Sequence, residues 1–411
     1  MKIRGFFVYI FLIPILFFCS CKSNDREDFS REDIAKNIGQ RNGLTDENIK
    51  IGSSLSLTGY IGRLGQGYLK GAQLYINKIN RQGGVNGRKI DLIALDDGYN
   101  PSKTFLNTEM LINKEEVFAL FNYVGTPTAV KIIDMINEEG IPLLGLLTGA
   151  EVLRNPVQPY IFNIRASYFS EVELALSYFV DTLNIENVAF FYQNDSFGRA
   201  ILPGVQNSLK KRGIRLNNTG VYNRGELDIE TAFERIYSKS PELVILVGTY
   251  APLAKFINKS YQEGHYPYFY TVSFVGSEIL SSIVKDGFVK TPESKEALKN
   301  IIVTEVVPSP YSLEYSCVRE YRKELSSYFP EEPPSYISLE GYINAKVLIK
   351  ALQQAGINLT RDSFIEALED FRDYDLGIGE KINYDTDDHQ GLNDAYYSRM
   401  NLEGDFIRFN P

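Results

Sequence analysis

The 411-residue sequence is poor in the residue types that build covalent or metal-bound sites. It has three cysteines, two histidines and no tryptophan. Cys19 and Cys21 lie within the first 21 residues, so Cys317 is left alone and we expect no internal disulfide. His265 and His389 belong to no cluster with the ligand spacing of a zinc site. We therefore expect neither a metal nor another cofactor.

Basic charge and nucleotide-binding motifs are also lacking. The chain has 43 Lys and Arg against 52 Asp and Glu, a formal net charge of -9, whereas a nucleic-acid-binding protein needs a basic surface. Residues 58–67, which follow the first predicted strand, match neither G-x-G-x-x-G nor G-x-x-x-x-G-K-[ST]. A hydrolase would need a G-x-S-x-G elbow, which the sequence lacks. We expect no nucleic-acid partner and no enzyme activity.

The N-terminus has the pattern of an export signal. Lys2 and Arg4 precede an almost unbroken apolar run at residues 5–18. This run is shorter than the roughly 20 apolar residues that span a bilayer, and a cationic start before such a run is typical of a signal peptide. We predict a signal peptide at residues 1–21; an uncleaved signal anchor is the alternative.

Residues 18–21, Phe-Cys-Ser-Cys, resemble the bacterial lipobox, in which a small residue precedes the cysteine that receives the lipid. Ser20 occupies the small position, so Cys21 is the predicted lipidation site. Phe18 departs from the usual Leu, and Cys19 remains the alternative. The polar residues 22–47 are predicted to form a flexible spacer between a membrane and the body of the chain.

From residue 48 onward, short apolar strands alternate with amphipathic helices. This alternation is typical of an α/β protein with parallel sheets, and the pattern begins again near residue 170. The fold predicted is two doubly wound, Rossmann-like lobes with a ligand cleft between them. The predicted helices include residues 66–81, 102–113, 129–139, 170–183, 201–212, 253–263, 338–354 and 361–371.

The later helices must return to the first lobe, so three crossings between the lobes are predicted, near Arg165, Ile301 and Leu376. The first lobe would comprise residues 48–165 and 302–376. The second lobe would comprise residues 166–301 and 377–411. Such boundaries are placed only to within a few residues.

Two loops that follow strands of the first lobe are rich in hydrogen-bond donors. Gly125, Thr126 and Pro127 open a predicted helix, whose free N–H groups favour an anionic group. Thr126 could instead be only the N-cap of that helix. Thr148, Gly149 and Ala150 follow the next strand, where a glycine beside a hydroxyl lets a ligand approach the backbone, although an ordinary capped turn has the same pattern. Together the loops could hold one anionic group.

The order and spacing of several segments resemble the type I periplasmic solute-binding proteins, the branched-chain amino acid receptor family of ABC importers. The segments are residues 80–88, 96–101, which include Tyr99, 138–142 and 193–198. The resemblance extends from residue 49 to residues 387–391. It implies the periplasmic binding protein type I fold with a hinge of three crossings.

The resemblance also implies site residues. In the first lobe, Thr126 and the turn from Thr148 to Ala150 would hold a carboxylate, and in the second lobe Phe197 and Tyr250 would close over the ligand. Both aromatic residues could equally be packing elements.

Family members that bind amino acids also use an acid for the ammonium group, and here the corresponding loop begins with Ser273. Glu278 comes a few residues late in that loop. Asp195 or Asp97 could replace the acid, although Asp97 could be only a loop residue that caps its strand end. Tyr99 is a further candidate ligand-binding residue.

The function predicted is an extracytoplasmic solute-binding lipoprotein. It would capture a small polar ligand, an amino acid or a related carboxylate or amide, and deliver it to an ABC permease. We expect a monomer, held at the membrane by its lipid and facing the periplasm or the exterior. The alternative with the same fold is a ligand-sensing receptor that signals to a membrane partner.

Overall fold

We describe the fold from a computed structural model, in which residues 43–287 and 291–411 are described. The predicted signal peptide, its cysteines Cys19 and Cys21, and most of the predicted spacer at residues 22–47 lie outside the described residues. Within the described ranges, no helix is both long and apolar enough to cross a membrane.

Short strands and helices alternate along the described chain, and the predicted α/β class is confirmed. The strands are β1 Asn48–Leu55, β2 Lys89–Asp96, β3 Ala119–Phe121, β4 Leu143–Leu144, β5 Ile161–Phe162, β6 Val188–Gln193, β7 Asn218–Tyr222, β8 Leu243–Val247, β9 Tyr268–Thr271, β10 Ile301–Glu305, β11 Tyr374–Asp375, β12 Lys381–Ile382, β13 Tyr396–Met400 and β14 Phe406–Arg408. A π-helical segment, Ser177–Thr182, directly follows the helix Tyr168–Leu176.

The helices pack on the faces of the sheets. They are α1 Gly62–Arg81, α2 Pro101–Asn113, α3 Thr126–Val130, α4 Ile133–Glu139, α5 Tyr168–Leu176, α6 Ser196–Lys211, α7 Glu230–Tyr237, α8 Tyr250–Gln262, α9 Ser277–Asp286, α10 Pro292–Ala297, α11 Ser316–Tyr328, α12 Tyr336–Ala355 and α13 Arg361–Glu369. Most of the long amphipathic helices begin and end within a few residues of the predicted positions.

Two large sheets define the two lobes. The first sheet has the order β2-β1-β3-β4-β5 and is parallel throughout. The second has the order β14-β13-β10-β9-β8-β6-β7. In it, β13 pairs antiparallel with both β10 and β14, and all other neighbouring strands pair in parallel. In each sheet the strand order reverses beside the lobe's first strand, β1 or β6. Ligands of open α/β sheets bind outside the carboxyl ends of the strands at such reversals.

The chain passes between the sheets three times, and two passages lie later than the sequence predicts. The first lies near Arg165, between β5 and α5. Strand β10 pairs with β9 of the second sheet, so the second passage follows Glu305 instead of Ile301. Leu376 and Leu392 both belong to the apolar core of the first lobe, so the third passage comes after that core segment. The predicted lobe boundaries near residues 302 and 376 are corrected accordingly.

The first and third passages are joined by hydrogen bonds. Asn163 and Gln390 form a parallel bridge, and the Gly391 amide donates to the Asn163 carbonyl at 2.8 Å. The Leu392 amide donates to the Ile164 carbonyl at 2.7 Å. The first-lobe ends of two of the three connections therefore lie side by side as one paired ribbon.

Two long helices of the first lobe, α1 and α12, pack at very short range because glycines line their contact. A Cβ atom at Gly71 would lie 1.8 Å from the Ser338 carbonyl oxygen, and one at Gly341 would lie 2.1 Å from the Tyr68 carbonyl oxygen. No larger residue fits at either position without a shift of the backbone. This contact ties α12, which comes late in the chain, to the first lobe.

The cysteine and the two histidines among the described residues are packed against other side chains. Cys317 is buried without a disulfide partner among the described residues, and burial raises its pKa to about 11. The His389 ring stacks on Phe162 with centroids 3.9 Å apart, and the His265 ring stacks on Tyr237 at 4.1 Å. Within residues 43–287 and 291–411, no group of three or more His, Cys, Asp or Glu side chains could hold a metal.

Candidate functional site

Residues that follow strands in both lobes meet at the carboxyl ends of the two sheets. Tyr99 follows β2 of the first lobe and Phe274 follows β9 of the second, and their ring centroids are 6.2 Å apart. Each ring is 1% exposed. The lobes therefore touch across the predicted binding region, which we call the cleft.

Two threonines of the first lobe face each other in this region. Thr126 follows β3 and Thr148 follows β4, and their hydroxyl oxygens are 2.7 Å apart. Both side chains are buried, and the Ala150 amide donates to the Thr148 hydroxyl at 3.3 Å. Because one hydroxyl donates to the other, the pair retains a proton that can be offered to an acceptor. The structure thus brings together the two loops that the sequence singled out.

The helix predicted at residues 129–139 is different in the structure. It is divided into α3 and α4, and α3 has only five residues. Gly125 is the N-cap and has no side-chain capping bond, so Thr126 is not the N-cap that the alternative reading supposed. So short a helix has little macrodipole, and the expected anion site at its N-terminus is not supported. Pro127 is buried within its first turn.

Tyr99 is held in an unusual backbone conformation. Its φ is +59°, a left-handed value that is uncommon for a residue other than glycine, and its amide donates to the Asp97 carboxylate at 2.8 Å. Strained backbone of this kind clusters at functional sites. Gly125 packs against the Tyr99 ring so closely that a Cβ atom there would lie 2.2 Å from ring atom Cε2.

Aromatic rings of the second lobe complete the contact. Phe197 lies 4.6 Å from Phe274 and 5.6 Å from Tyr168, measured between ring centroids. All three rings are at most 1% exposed. Tyr60 of the first lobe packs edge-on against Tyr99 at 5.8 Å. The cleft is therefore lined by aromatic surfaces from both lobes.

Asp195 is occupied by its own helix and by neighbouring side chains. It is the N-cap of α6 and accepts hydrogen bonds from the Phe197 amide at 2.9 Å and from the Gln193 side chain at 2.7 Å. The Arg224 guanidinium lies 3.7 Å from it and also lies over the Tyr99 ring. Burial raises the pKa of Asp195. Its carboxylate organises the second-lobe side of the cleft.

Ser273 belongs to a buried polar cluster near the first passage. Its amide donates to Glu171 at 2.8 Å and its hydroxyl donates to the same carboxylate at 3.0 Å. Arg165 donates to the Ser273 hydroxyl and lies 4.0 Å from Glu171 and 3.6 Å from Glu340. Burial lowers the pKa of Arg165, but Glu340 and Glu171 outweigh it and raise that pKa above its ordinary value. Ser273 thus links the lobes through Arg165.

The remaining predicted site residues are Tyr250 of the second lobe and Gly149 and Ala150 of the first. Tyr250 is the first residue of α8 and is 7% exposed; burial raises its pKa and the charge of Arg63 lowers it. The Gly149 carbonyl accepts from the Tyr168 amide at 2.8 Å. Arg154 donates to the Ala150 carbonyl at 3.0 Å and so fixes the turn at residues 148–150 from behind.

Two candidate acids for an ammonium group have other partners. Asp97 accepts from Ser54 at 2.9 Å, from Thr104 at 3.1 Å and from the Tyr99 amide, which supports its reading as a loop residue. Glu278 accepts from the Tyr336 amide at 2.9 Å.

Sequence reasoning missed Tyr168, Phe274, Arg165 and Arg224. Phe274 follows Ser273 in the loop after β9, and an aromatic residue directly after a strand is the signal that the sequence offers for it. The other three carry no spacing signal, because the fold alone brings them to the cleft.

Comparisons with known proteins give one consistent result. A family model described as periplasmic binding protein matches residues 48–405. An amino acid binding protein of Pseudomonas aeruginosa is 22% identical over 317 residues, which cover 76% of this chain and 80% of the relative.

Solved structures agree with the fold described above. A possible leucine/isoleucine/valine-binding protein from Rhodopirellula baltica is 30% identical with a TM-score of 0.82, and the match covers 89% of this chain and 97% of the other. A branched chain amino acid ABC transporter from Thermus thermophilus with bound valine is 17% identical with a TM-score of 0.78, covering 89% and 96%. At that lower identity the likeness concerns the fold alone.

Proposed function

The chain belongs to the periplasmic binding protein family, as a type I member of its branched-chain amino acid group, and on this premise we propose that it captures a small polar ligand between its lobes and delivers it to an ABC permease. The ligand would be an amino acid or a related carboxylate or amide. The family consists of binding proteins that work outside the cytoplasm, so the chain is a solute-binding protein and not an enzyme.

The observation that carries this proposal is the pair of buried hydroxyls on Thr126 and Thr148 beside rings from both lobes. Hydroxyls that share a hydrogen bond in a buried site can both turn toward a carboxylate or carbonyl oxygen. A ligand bound to these groups would also touch Phe197 of the second lobe. Its binding is therefore coupled to the contact between the lobes.

The proposed mechanism is capture by closure. The ligand binds first to the first lobe through Thr126 and the turn at residues 148–150, and the second lobe then rotates toward it with Phe197 and Tyr250. Hinge closure of this kind is a known motion of two-lobed binding proteins. The closed form would present the surface that a permease recognises.

A thermal-shift screen of the full chain in mild detergent tests the proposal. The panel would contain amino acids, short-chain acids, amides and purines. A ligand that binds only the folded state raises the melting temperature, by an amount that grows with its concentration. We expect at least one acid, amino acid or amide to do so. If no compound of these classes raised the melting temperature at millimolar concentration, the proposed function would be wrong.

We further propose that the chain is a lipoprotein anchored through Cys21. The proposal rests on the apolar run at residues 5–18 and on Ser20 before the cysteine. Membrane fractionation of Cys21→Ala and Cys19→Ala variants in a bacterial host tests it. We expect only the Cys21→Ala protein to be lost from the membrane fraction. If only the Cys19→Ala protein were lost, Cys19 would be the lipidated residue.

A further inference from the structure

The carboxylates nearest to the aromatic rings of the cleft already have partners. Asp97 accepts three hydrogen bonds from its own lobe. Asp195 caps α6 and lies beside Arg224. Glu171 accepts from Ser273 and from Thr304 at 2.7 Å. A ligand ammonium group would have to share a carboxylate with these partners.

Two further acids near the cleft face groups of their own. Glu278 accepts from the Tyr336 amide, and Glu340 lies 3.6 Å from the Arg165 guanidinium, although its Oε1 atom accepts no hydrogen bond from any described residue. Burial lowers the pKa of Arg154 to about 10, and the charge of Glu151, next to Ala150, opposes this shift in part. The guanidinium of Arg154 lies beside the turn at residues 148–150, and its positive charge favours an anion there.

In contrast, two hydrogen-bond donors of the cleft have no such partner. Within the described residues, the hydroxyl groups of Tyr99 and Tyr168 accept and donate no hydrogen bond, although the two side chains are 1% and 0% exposed. Burial raises the pKa of both phenols, that of Tyr168 to about 12, while the nearby Gln193 and Thr148 side chains lower these values in part. Both hydroxyls therefore keep their protons at neutral pH and can donate.

Unpartnered buried hydroxyls are costly, so their positions are informative. Tyr99 comes from the first lobe and Tyr168 from the second, and both rings touch phenylalanines that line the cleft. The ring of Tyr99 is packed against Tyr60 and Phe274. The site thus has donors from both lobes and flat apolar rings between them. Hydrogen bonds from the protein are already accepted by the carboxylates nearest to these rings, which are Asp97, Asp195 and Glu171.

We propose that the ligand is an aromatic carboxylate without an ammonium group, bound by the hydroxyls of Tyr99, Tyr168 and the threonine pair and by the phenylalanine rings. This inference rests on the proposed solute-binding function and narrows its ligand class. Carboxylate oxygens would accept from the donors, and an aromatic ring would pack on Phe197 and Phe274, since offset and edge-to-face ring contacts are favourable.

Matched compounds test the inference by calorimetry on the full chain. 3-Phenylpropanoate and L-phenylalanine differ in the ammonium group alone, and 4-methylpentanoate and L-leucine form the aliphatic pair. We expect 3-phenylpropanoate to bind at least tenfold more tightly than each of the other three. Tighter binding of either amino acid would overturn the inference and leave the proposed function intact. Tighter binding of 4-methylpentanoate than of 3-phenylpropanoate would overturn the inference that the ligand is aromatic. If none of the four compounds bound, the whole inference would be overturned. The proposed function would then be decided by the thermal-shift screen.

Tyrosine variants test the two donors separately. Tyr99→Phe and Tyr168→Phe should each reduce the affinity for 3-phenylpropanoate by about tenfold without lowering the melting temperature, because the hydroxyls have no partner to lose. Tyr237→Phe is the matched control, since its hydroxyl donates to Ser260 at 2.6 Å away from the cleft. It should lower the melting temperature and leave the affinity unchanged. A lower melting temperature with unchanged affinity for both cleft variants would overturn the assignment of the donors.

Discussion

At the scale of single residues, Thr126 is the side chain on which ligand affinity should depend most directly. Thr126→Ala removes one member of the buried hydroxyl pair and leaves Thr148 without its partner. We expect binding of the best ligand from the screen to weaken by about 1 to 3 kcal/mol. Calorimetry measures this, and Thr126→Ser should retain most of the affinity because it keeps the hydroxyl. Unchanged affinity in the alanine variant would remove Thr126 from the site.

Gly125 has an equally specific role, because it makes room for Tyr99. Its φ is +97°, and a Cβ atom would lie 2.2 Å from the Tyr99 ring. Gly125→Ala should therefore displace the ring as well as strain the backbone. The matched control is Gly83→Ala, with φ of +101° and no atom within 4 Å of the added Cβ.

Both glycine variants should lose about 1 to 2 kcal/mol of stability from the left-handed backbone alone. Gly125→Ala should lose more and should also bind ligand more weakly. Urea unfolding and calorimetry measure the two effects. Equal losses of stability, with normal affinity in both variants, would contradict the role given to the contact between Gly125 and Tyr99.

At the scale of elements, the packing of α1 on α12 makes a further prediction. Gly71→Ala would place a Cβ atom 1.8 Å from the Ser338 carbonyl and should destabilise the first lobe by about 1 to 3 kcal/mol or more. Gly67→Ala, one turn earlier in α1, meets Ile337 at an ordinary 3.6 Å. It should gain up to about 1 kcal/mol from helix propensity. Chemical denaturation distinguishes them, and similar stabilities would contradict the close packing.

Elements with strong periodicity could be predicted from the sequence. The helix predicted at residues 338–354 is α12, Tyr336–Ala355, and the helix predicted at residues 253–263 is α8, Tyr250–Gln262. Strand β5, with two residues, is too short to have a period, and its pairing with β4 alone defines it. Strand β10 was missed for a similar reason, since its identity depends on its neighbour β9.

The site was predictable only where it follows the rule that ligands bind after strands. That rule selected Thr126 and Thr148, which the structure places together. It could not select Tyr168, which comes from the start of a helix, because its approach to Phe197 depends on how two helices pack. Asp195 was singled out for its charge, but its geometry is that of a helix cap.

At the scale of the whole molecule, stability should depend on pH through a contact between the lobes. Glu278 of α9 accepts a hydrogen bond from the Tyr336 amide at the start of α12, and burial raises its pKa from 4.5 to about 7. A carboxyl with a raised pKa in the folded state stabilises that state at low pH. This stabilisation is complete below pH 4.5 and is lost as the pH rises to about 7.

The variant Glu278→Gln keeps the acceptor oxygen and cannot ionise. Relative to this variant, the parent protein should lose roughly 1 to 3 kcal/mol of unfolding free energy between pH 4.5 and 7, and the difference should then stay constant. Partial exposure of Glu278 favours the lower part of that range. Denaturation at a series of pH values measures the effect. Parallel stability profiles for the two proteins would exclude Glu278 as its source.

The paired ribbon formed by the first and third passages limits how the lobes can move. Sliding one passage along the other would break the hydrogen bonds from Gly391 and Leu392, whereas bending both together preserves them. We therefore expect the relative motion in the proposed closure to be close to a rotation about a single axis across the ribbon. With one rotational degree of freedom, each closing event would return Tyr99 to the same face of Phe274, and the selectivity of the cleft would be reproduced from one cycle to the next.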